Sequence, residues 1–242
     1  MANSKPDYGI DAPGVLRNLG VIGVALLLTA RYVPDIVLGP VRIQLTGMFY
    51  GTGTILIAEF ILMLVYVKLG KFRHRDFMLN MVTWRGDEQV LDVGTGRGLL
   101  MIGAAKRLST GKATGIDIWN AEDLSDNRME NTLHNAELEG VKEKIEVRGE
   151  DVRKLAFPDA SFDVIVSNLC IHNIYHKEGR ATGLREIVRV LKPGGIALIS
   201  DYKLTSEYAE AFRNEGLQVE EIWGSWVTTF PPLAIVVAKK PA

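Results

Sequence analysis

The residues with the most chemical potential form the run Asp92-Val-Gly94-Thr-Gly96-Arg-Gly98, directly behind the apolar stretch Gln89 to Val93. Three alternating glycines let a backbone turn sharply and bring its N–H groups against a ligand with no Cβ in the way. In open α/β sheets such ligands lie outside the carboxyl ends of the strands. The spacing departs from G-x-G-x-x-G: the third glycine comes one residue early and Leu99 stands in its place. That disfavours a nicotinamide-dependent oxidoreductase, the competing reading of a strand–glycine–helix unit. Roughly twenty residues further on, Asp117 ends Gly115-Ile-Asp117, where a carboxylate can accept hydrogen bonds from both hydroxyls of a ribose. Ile118 and Trp119 follow and can pack on an adenine ring. Asp117 is equally suited to capping a helix or a turn.

Three more segments continue the series: Gly149-Glu-Asp151-Val152, Phe162-Asp-Val-Ile-Val-Ser167-Asn168, and Leu191-Lys-Pro-Gly-Gly195. Together, and in this order, the motifs resemble the class I S-adenosylmethionine (SAM)-dependent methyltransferases, especially the small-molecule branch, over residues 85–238. The resemblance implies SAM as cofactor, held by Asp92, Gly94, Gly96, Gly98, Asp117, Ile118, Asp151, Val152 and Asn168. In that family the first motif turns around the cofactor and Asp117 matches the ribose-binding acid. Asp151 matches the acid that bonds the adenine amino group, and Asn168 ends the strand that meets the methionine part. The segment Asn168-Leu-Cys170-Ile-His172-Asn-Ile-Tyr175-His176 then borders the acceptor site. It makes His172 the first candidate for a catalytic base, or else a residue that orders the loop; His176 reads as a surface residue and Cys170 as packing. Methyl transfer is a single displacement, accelerated chiefly by alignment, and a base helps only where the acceptor must lose a proton.

Some chemistries are disfavoured. Ser167-Asn168-Leu169-Cys170 is neither the Asn/Asp-Pro-Pro-aromatic motif of amino-group methylation on DNA bases nor the Pro-Cys of cytosine-carbon methylation. Cys170 is the sole cysteine, which excludes a disulfide framework and a multi-cysteine metal site; arsenite methyltransferases need several. No carboxylate cluster suggests a metal. With 28 Lys+Arg against 29 Asp+Glu, the chain lacks the basic excess of a nucleic-acid binder.

These residues need a scaffold, and from Gln89 onward short β-branched runs alternate with helical stretches. Strands are expected at 89–93, 113–118, 145–148, 162–167, 196–201, 219–226 and 233–238. Helices are expected at 99–108, 127–139, 184–191 and 207–215. Such alternation argues for a Rossmann-like parallel sheet with helices on both faces. The last two strands, with no helix between them, should pair as an antiparallel hairpin across Thr228 to Pro232. The expected fold is therefore α/β, a seven-strand sheet with an antiparallel last strand.

The first third is different. Residues 1–14 lack a periodic pattern and read as a loose tail. Leu19 to Ala30 is free of charge, and Met48 to Val67 carries one charge, Glu59. A spanning helix needs roughly 20 apolar residues, which the second stretch supplies. Lys68, Lys71, Arg73 and Arg75 follow it and mark a cytoplasmic end. The expectation is two transmembrane helices in a membrane-anchoring hairpin over residues 15–75, with a methyltransferase domain over residues 76–242 on the cytoplasmic side of a multi-pass membrane protein. Asp7 and Asp11 offset Lys5 and Arg17, which makes a signal peptide a poor alternative. Glu59 is expected to be protonated and bonded within the hairpin, with Gly47-Met-Phe-Tyr-Gly51 offering small-xxx-small spacing for close helix approach. A tethered enzyme would meet a small apolar or lipid-like acceptor in the bilayer, which Trp223, Trp226 and Phe230 could roof. A non-catalytic SAM-binding membrane protein is the remaining alternative.

Overall fold

The computed structural model describes residues 5–224 and 229–242. Helix α1 (Pro13–Ala30) opens with a proline in its first turn, where the missing N–H has no intrahelical partner to lose. A two-stranded antiparallel tip, β1 (Ile36–Leu38) and β2 (Val41–Ile43), leads to α2 (Leu45–Val65). Both helices are apolar nearly all round: Val21, Ile22, Val24 and Leu28 of α1 and Ile55, Ile61, Leu62 and Val65 of α2 are exposed. A helix of that kind is ordinarily buried in protein or lipid, and both are long and apolar enough to cross a membrane.

The two helices pack through glycines other than those expected. A Cβ on Gly53 would lie 2.9 Å from Leu27 and 3.1 Å from the Gly23 carbonyl, and Gly20 and Gly23 meet Phe60 and Ile57. Gly51 faces open space and Gly47 touches only Gln44 of its own turn. The small-xxx-small pair is thus off the interface, because it sits on the wrong side of α2.

Helix α2 does not stop at its basic end. A π-helical turn, Tyr66–Gly70, carries it into α3 (Lys71–Leu79), and Met78 and Leu79 are fully buried against the sheet domain. The expected cationic cluster is partly consumed there. Lys71 is 3% exposed, and its ammonium donates to the Tyr8 and Gly9 carbonyls and to Asp11. Nor is the described part of the N-terminus a loose tail. The Asp7 N–H donates to Asn135 Oδ1, Tyr8 OH donates to Glu139, and Ile10 N and Ala12 N bond Ser125 and Asp123. Long-range side-chain partners hold this strap, so no periodicity announces it.

Beyond α3 come β3 (Gln89–Val93), α4 (Leu99–Ala105), β4 (Lys112–Asp117), α5 (Met129–Leu138), β5 (Ile145–Gly149), β6 (Phe162–Asn168), α6 (Lys177–Val190), β7 (Leu191–Asp201), α7 (Thr205–Asn214), β8 (Gln218–Trp223) and β9 (Ala234–Lys239). The sheet order is β5-β4-β3-β6-β7-β9-β8. Its first five strands are parallel; β9 runs antiparallel between β7 and β8. This is the expected seven-strand Rossmann-like sheet. The helix expected from Leu184 starts earlier, at Lys177, its first two turns being too polar to show an apolar face. Trp226, expected to end β8, lies outside the described residues. Leu100 to Ala105 of α4 pack on one face of the sheet, and Leu184, Ile187, Tyr208 and Phe212 of α6 and α7 pack on the other. The chain reverses its order between β3 and β6, so their carboxyl ends open into a crevice.

Candidate active site

The crevice at that switch point is a cavity of about 860 Å³, within the usual range for small-molecule sites. Strand β3 carries Asp92 one residue before its end, 2% exposed, and its Oδ2 accepts from Thr95 Oγ1 at 2.9 Å and from the Met101 N–H of α4 at 2.9 Å. Burial pushes the Asp92 carboxyl up to about 7, because the charged form loses its hydration. Gly94 and Thr95 both donate to the Ile116 carbonyl, bending the turn over β4. Gly94 has φ +73°, and a Cβ there would stand 2.3 Å from Cys170 Sγ. A Cβ on Gly96 would meet Leu124 at 2.8 Å. Gly94 needs glycine, Gly96 favours it through its φ of +51° while the Leu124 end can move, and both line the cavity. Gly98 is not among the lining residues. It precedes α4 at φ +87° and packs under Ile102 and Thr132.

Asp117 ends β4 and receives Gly96 N at 2.8 Å, Trp119 N at 2.7 Å and Asn127 Nδ2 at 3.2 Å. A carboxylate offers about four acceptor sites, so one is left for a ribose hydroxyl rather than two. Ile118 is exposed beside it on the cavity wall. Asp151 also lines the cavity, with Val152 next to it. The Arg153 fork beside it, at 3.0 Å from Nε, holds its carboxyl below the usual range. Asn168 ends β6, and its buried Oδ1 makes no well-formed hydrogen bond among the described residues, with the Tyr66 and His74 side chains beside it. Asp92, Gly94, Gly96, Asp117, Ile118, Asp151, Val152, Asn168 and His172 all face the one cavity.

His172 lies in a short 3₁₀ turn, Ile171–Asn173. Its Nδ1 sits 2.8 Å from Asp201 Oδ1 and its backbone N–H donates to Oδ2 at 3.2 Å. Asp201 is fully buried at the end of β7 and also receives Tyr202 N and Tyr208 OH. An ionised carboxylate only accepts, so Nδ1 carries the proton and Nε2 is left as an acceptor. His176 is exposed, as expected. The Cys170 thiol is raised by burial and is inert as a nucleophile. Of the aromatics near the last hairpin, Phe230 lines the cavity while Trp223 is 71% exposed and turned away from it; Trp226 lies outside the described residues.

Sequence reasoning missed Asp201, although a strand ending on an acid was a usable signal. It also missed a whole wall. Val15 and Leu19 of α1, and Glu59, Met63 and Tyr66 on and just beyond α2, line the cavity. Glu59 therefore faces the site, and no hydrogen bond within the hairpin holds it among the described residues.

Residues 91–199 match the family described as Methyltransferase domain. The chain is 31% identical over 150 residues to sterol 24-C-methyltransferase ERG6A of Gibberella zeae, covering 62% of this chain and 36% of that protein. It spans about a third to a half of the length of the first curated relatives it matches. A crystal structure of a SAM dependent methyltransferase from Aquifex aeolicus superposes with a TM-score of 0.55 at 22% identity, over 68% of this chain and 88% of that one. The cyclase SpnF superposes with a TM-score of 0.59 at 17% identity, over 97% and 99%. At these identities the structures share a fold, and one fold carries different reactions.

Proposed function

We propose that this chain, whose residues 91–199 match a methyltransferase domain with SAM as its cofactor, methylates a small lipophilic acceptor that reaches it through the bilayer. The observation that carries the reading is a single cavity. Its inner wall is the glycine turn with Asp117, Asp151 and the His172–Asp201 pair, and its outer wall is the apolar helical hairpin. The inner wall fits the cofactor: a turn whose Gly94 and Gly96 both have positive φ, a spare acceptor site on Asp117 and the free capacity of Asn168 Oδ1. When bound, SAM supplies an activated methyl on a positively charged sulfur.

The chain's own residues then bind and orient. Gly94 and Gly96 admit the amino-acid end, Asp117 and Ile118 take the nucleoside, and Asp151 with Val152 borders the base. Asn168 faces the methionine part. His172 Nε2 takes a proton from an acceptor that must lose one, and Asp201 stabilises the resulting imidazolium. Leu169, Ile174 and Phe230 exclude water from the acceptor side.

The relative that acts on a sterol supports a lipophilic acceptor, and the exposed apolar faces of α1 and α2 support a membrane anchor with the domain on the cytoplasmic side. Two measurements test this. Full-length protein in phosphatidylcholine nanodiscs should bind S-adenosylhomocysteine and transfer labelled methyl from SAM to a component of a membrane lipid extract, identified by mass spectrometry. The chain should also stay in the membrane pellet through a carbonate wash. Absence of both binding and transfer sinks the enzyme; release by carbonate sinks the anchor.

A further inference from the structure

Glu59, Met63 and Tyr66 are spaced by four and three residues, one stripe of a helix, and all three line the catalytic cavity opposite Val15 and Leu19. Two features of this stripe point into the cavity. Tyr66 is 3% exposed, and among the described residues its hydroxyl makes no well-formed hydrogen bond, with the Asn168 side chain as its polar neighbour. Buried polar groups are nearly always partnered, so a cavity-lining hydroxyl of this kind has capacity for a group that enters. Glu59 is the one charged residue of α2. Ionisable residues in such helices commonly mark a functional site with a partner. The cations that line the cavity are Lys71, Arg97 and Arg153, and they are already paired with Asp11, Asp7 and Asp151. Among the described residues none of these is left to balance Glu59.

We infer that the hairpin is the acceptor-recognition wall of this cavity and selects an amine-bearing amphiphile, with Tyr66 hydrogen-bonding its head and Glu59 supplying the counter-charge. The inference rests on the reading of the cavity as a methyltransferase site. An unbalanced carboxylate favours a cationic guest and repels an anionic one. Val15, Leu19 and Met63 take the chain, since burying apolar surface is what such a wall offers. The reaction balances. An ammonium gives one proton to His172 Nε2 and then to water. The N–C bond forms as the S–C bond breaks, and the positive charge of the sulfonium ends on the methylated nitrogen.

The test uses full-length protein in phosphatidylcholine nanodiscs with labelled SAM. Dodecylamine, dodecanol, dodecanoate and butylamine are compared as inhibitors of transfer to lipid extract, and mass spectrometry looks for N-methyldodecylamine. Dodecylamine should act at about tenfold lower concentration than each of the other three, and should itself be methylated. Glu59→Gln should bring dodecylamine and dodecanol to parity. Tyr66→Phe should raise KM for dodecylamine about tenfold, with S-adenosylhomocysteine affinity and Tm unchanged. The inference is overturned if dodecanol or dodecanoate matches dodecylamine, if butylamine alone is methylated, or if both variants behave as wild type. Failure of the wild type to bind S-adenosylhomocysteine would instead remove the underlying reading.

Discussion

Replacing Asp201 with asparagine isolates the histidine's role. Asp201 is fully buried, and donors surround both its oxygens: His172 Nδ1 at 2.8 Å and Tyr202 N at 2.9 Å on Oδ1, then His172 N at 3.2 Å and Tyr208 OH at 3.3 Å on Oδ2. An amide keeps one acceptor oxygen and presents an NH₂ to the other set. In either orientation a backbone N–H faces an N–H. An unsatisfied buried group costs about 1–3 kcal/mol, which lowers Tm by roughly 2–12 °C in a chain of this size. The catalytic effect is separate. Where the amide NH₂ lies against Nδ1 it forces the proton onto Nε2, and the cavity-facing nitrogen stops accepting; where the amide oxygen lies there the tautomer is kept, and the imidazole NMR signals tell the two apart. Loss of a positioned base lowers kcat by about 10²–10⁴. Initial rates with labelled SAM and lipid extract, measured at a temperature well below the lowered Tm, give kcat; calorimetry with S-adenosylhomocysteine gives cofactor affinity. The expected pattern is a large fall in kcat, unchanged affinity and partial recovery of rate at higher pH as free acceptor base accumulates. A folded Asp201→Asn variant with the proton on Nε2 and kcat within about threefold of wild type would refute the assignment of His172 as base.

Gly94→Ala should destabilise by about 2–5 kcal/mol, combining a left-handed backbone at φ +73° with a Cβ placed 2.3 Å from Cys170 Sγ; adding Cys170→Gly should recover the steric part only, as read by urea denaturation. Asp92 gives a pH signature. Its folded-state pKa is raised from the model-peptide range to about 7, so its contribution to stability is full below pH 4 and is lost as pH rises through 7. Ligand-free Asp92→Asn should therefore gain Tm relative to wild type between pH 5 and 8, and a constant difference across that interval would contradict the burial argument. Asn135→Ala removes the amide that binds Asp7 through both its N–H and its carbonyl and also bonds the Arg97 carbonyl. Amide exchange at Tyr8 to Asp11 should accelerate at least about tenfold, and unchanged exchange would show that Lys71 and the bonds to Glu139, Ser125 and Asp123 hold the strap without Asn135.

The sheet and the inner wall of the site were legible in the sequence because their causes are local. Gln89 to Val93 is a β-branched run that ends in a glycine turn; the spacing of Gly94 and Gly96 encodes a close approach; Asp117 and Asn168 stand at strand ends, where the fold must open. The absence of a helix between β8 and β9 dictated an antiparallel pair. The apolar length of α1 and α2 was likewise plain from composition. None of these needs a partner distant in the chain.

The rest required the tertiary structure, because it consists of contacts between residues far apart in sequence. His172 meets Asp201 across 29 positions, and Asp7 meets Asn135 across 128. Composition marked Lys71 as a cation for a lipid interface, whereas folding buries it against the Tyr8 and Gly9 carbonyls. Gly47 and Gly51 had the spacing for helix contact, yet the azimuth of α2 gave that role to Gly53. The same azimuth turned Glu59 and Tyr66 toward the cavity. A sequence states which side chains share a stripe of a helix; only packing against the sheet decides where that stripe points.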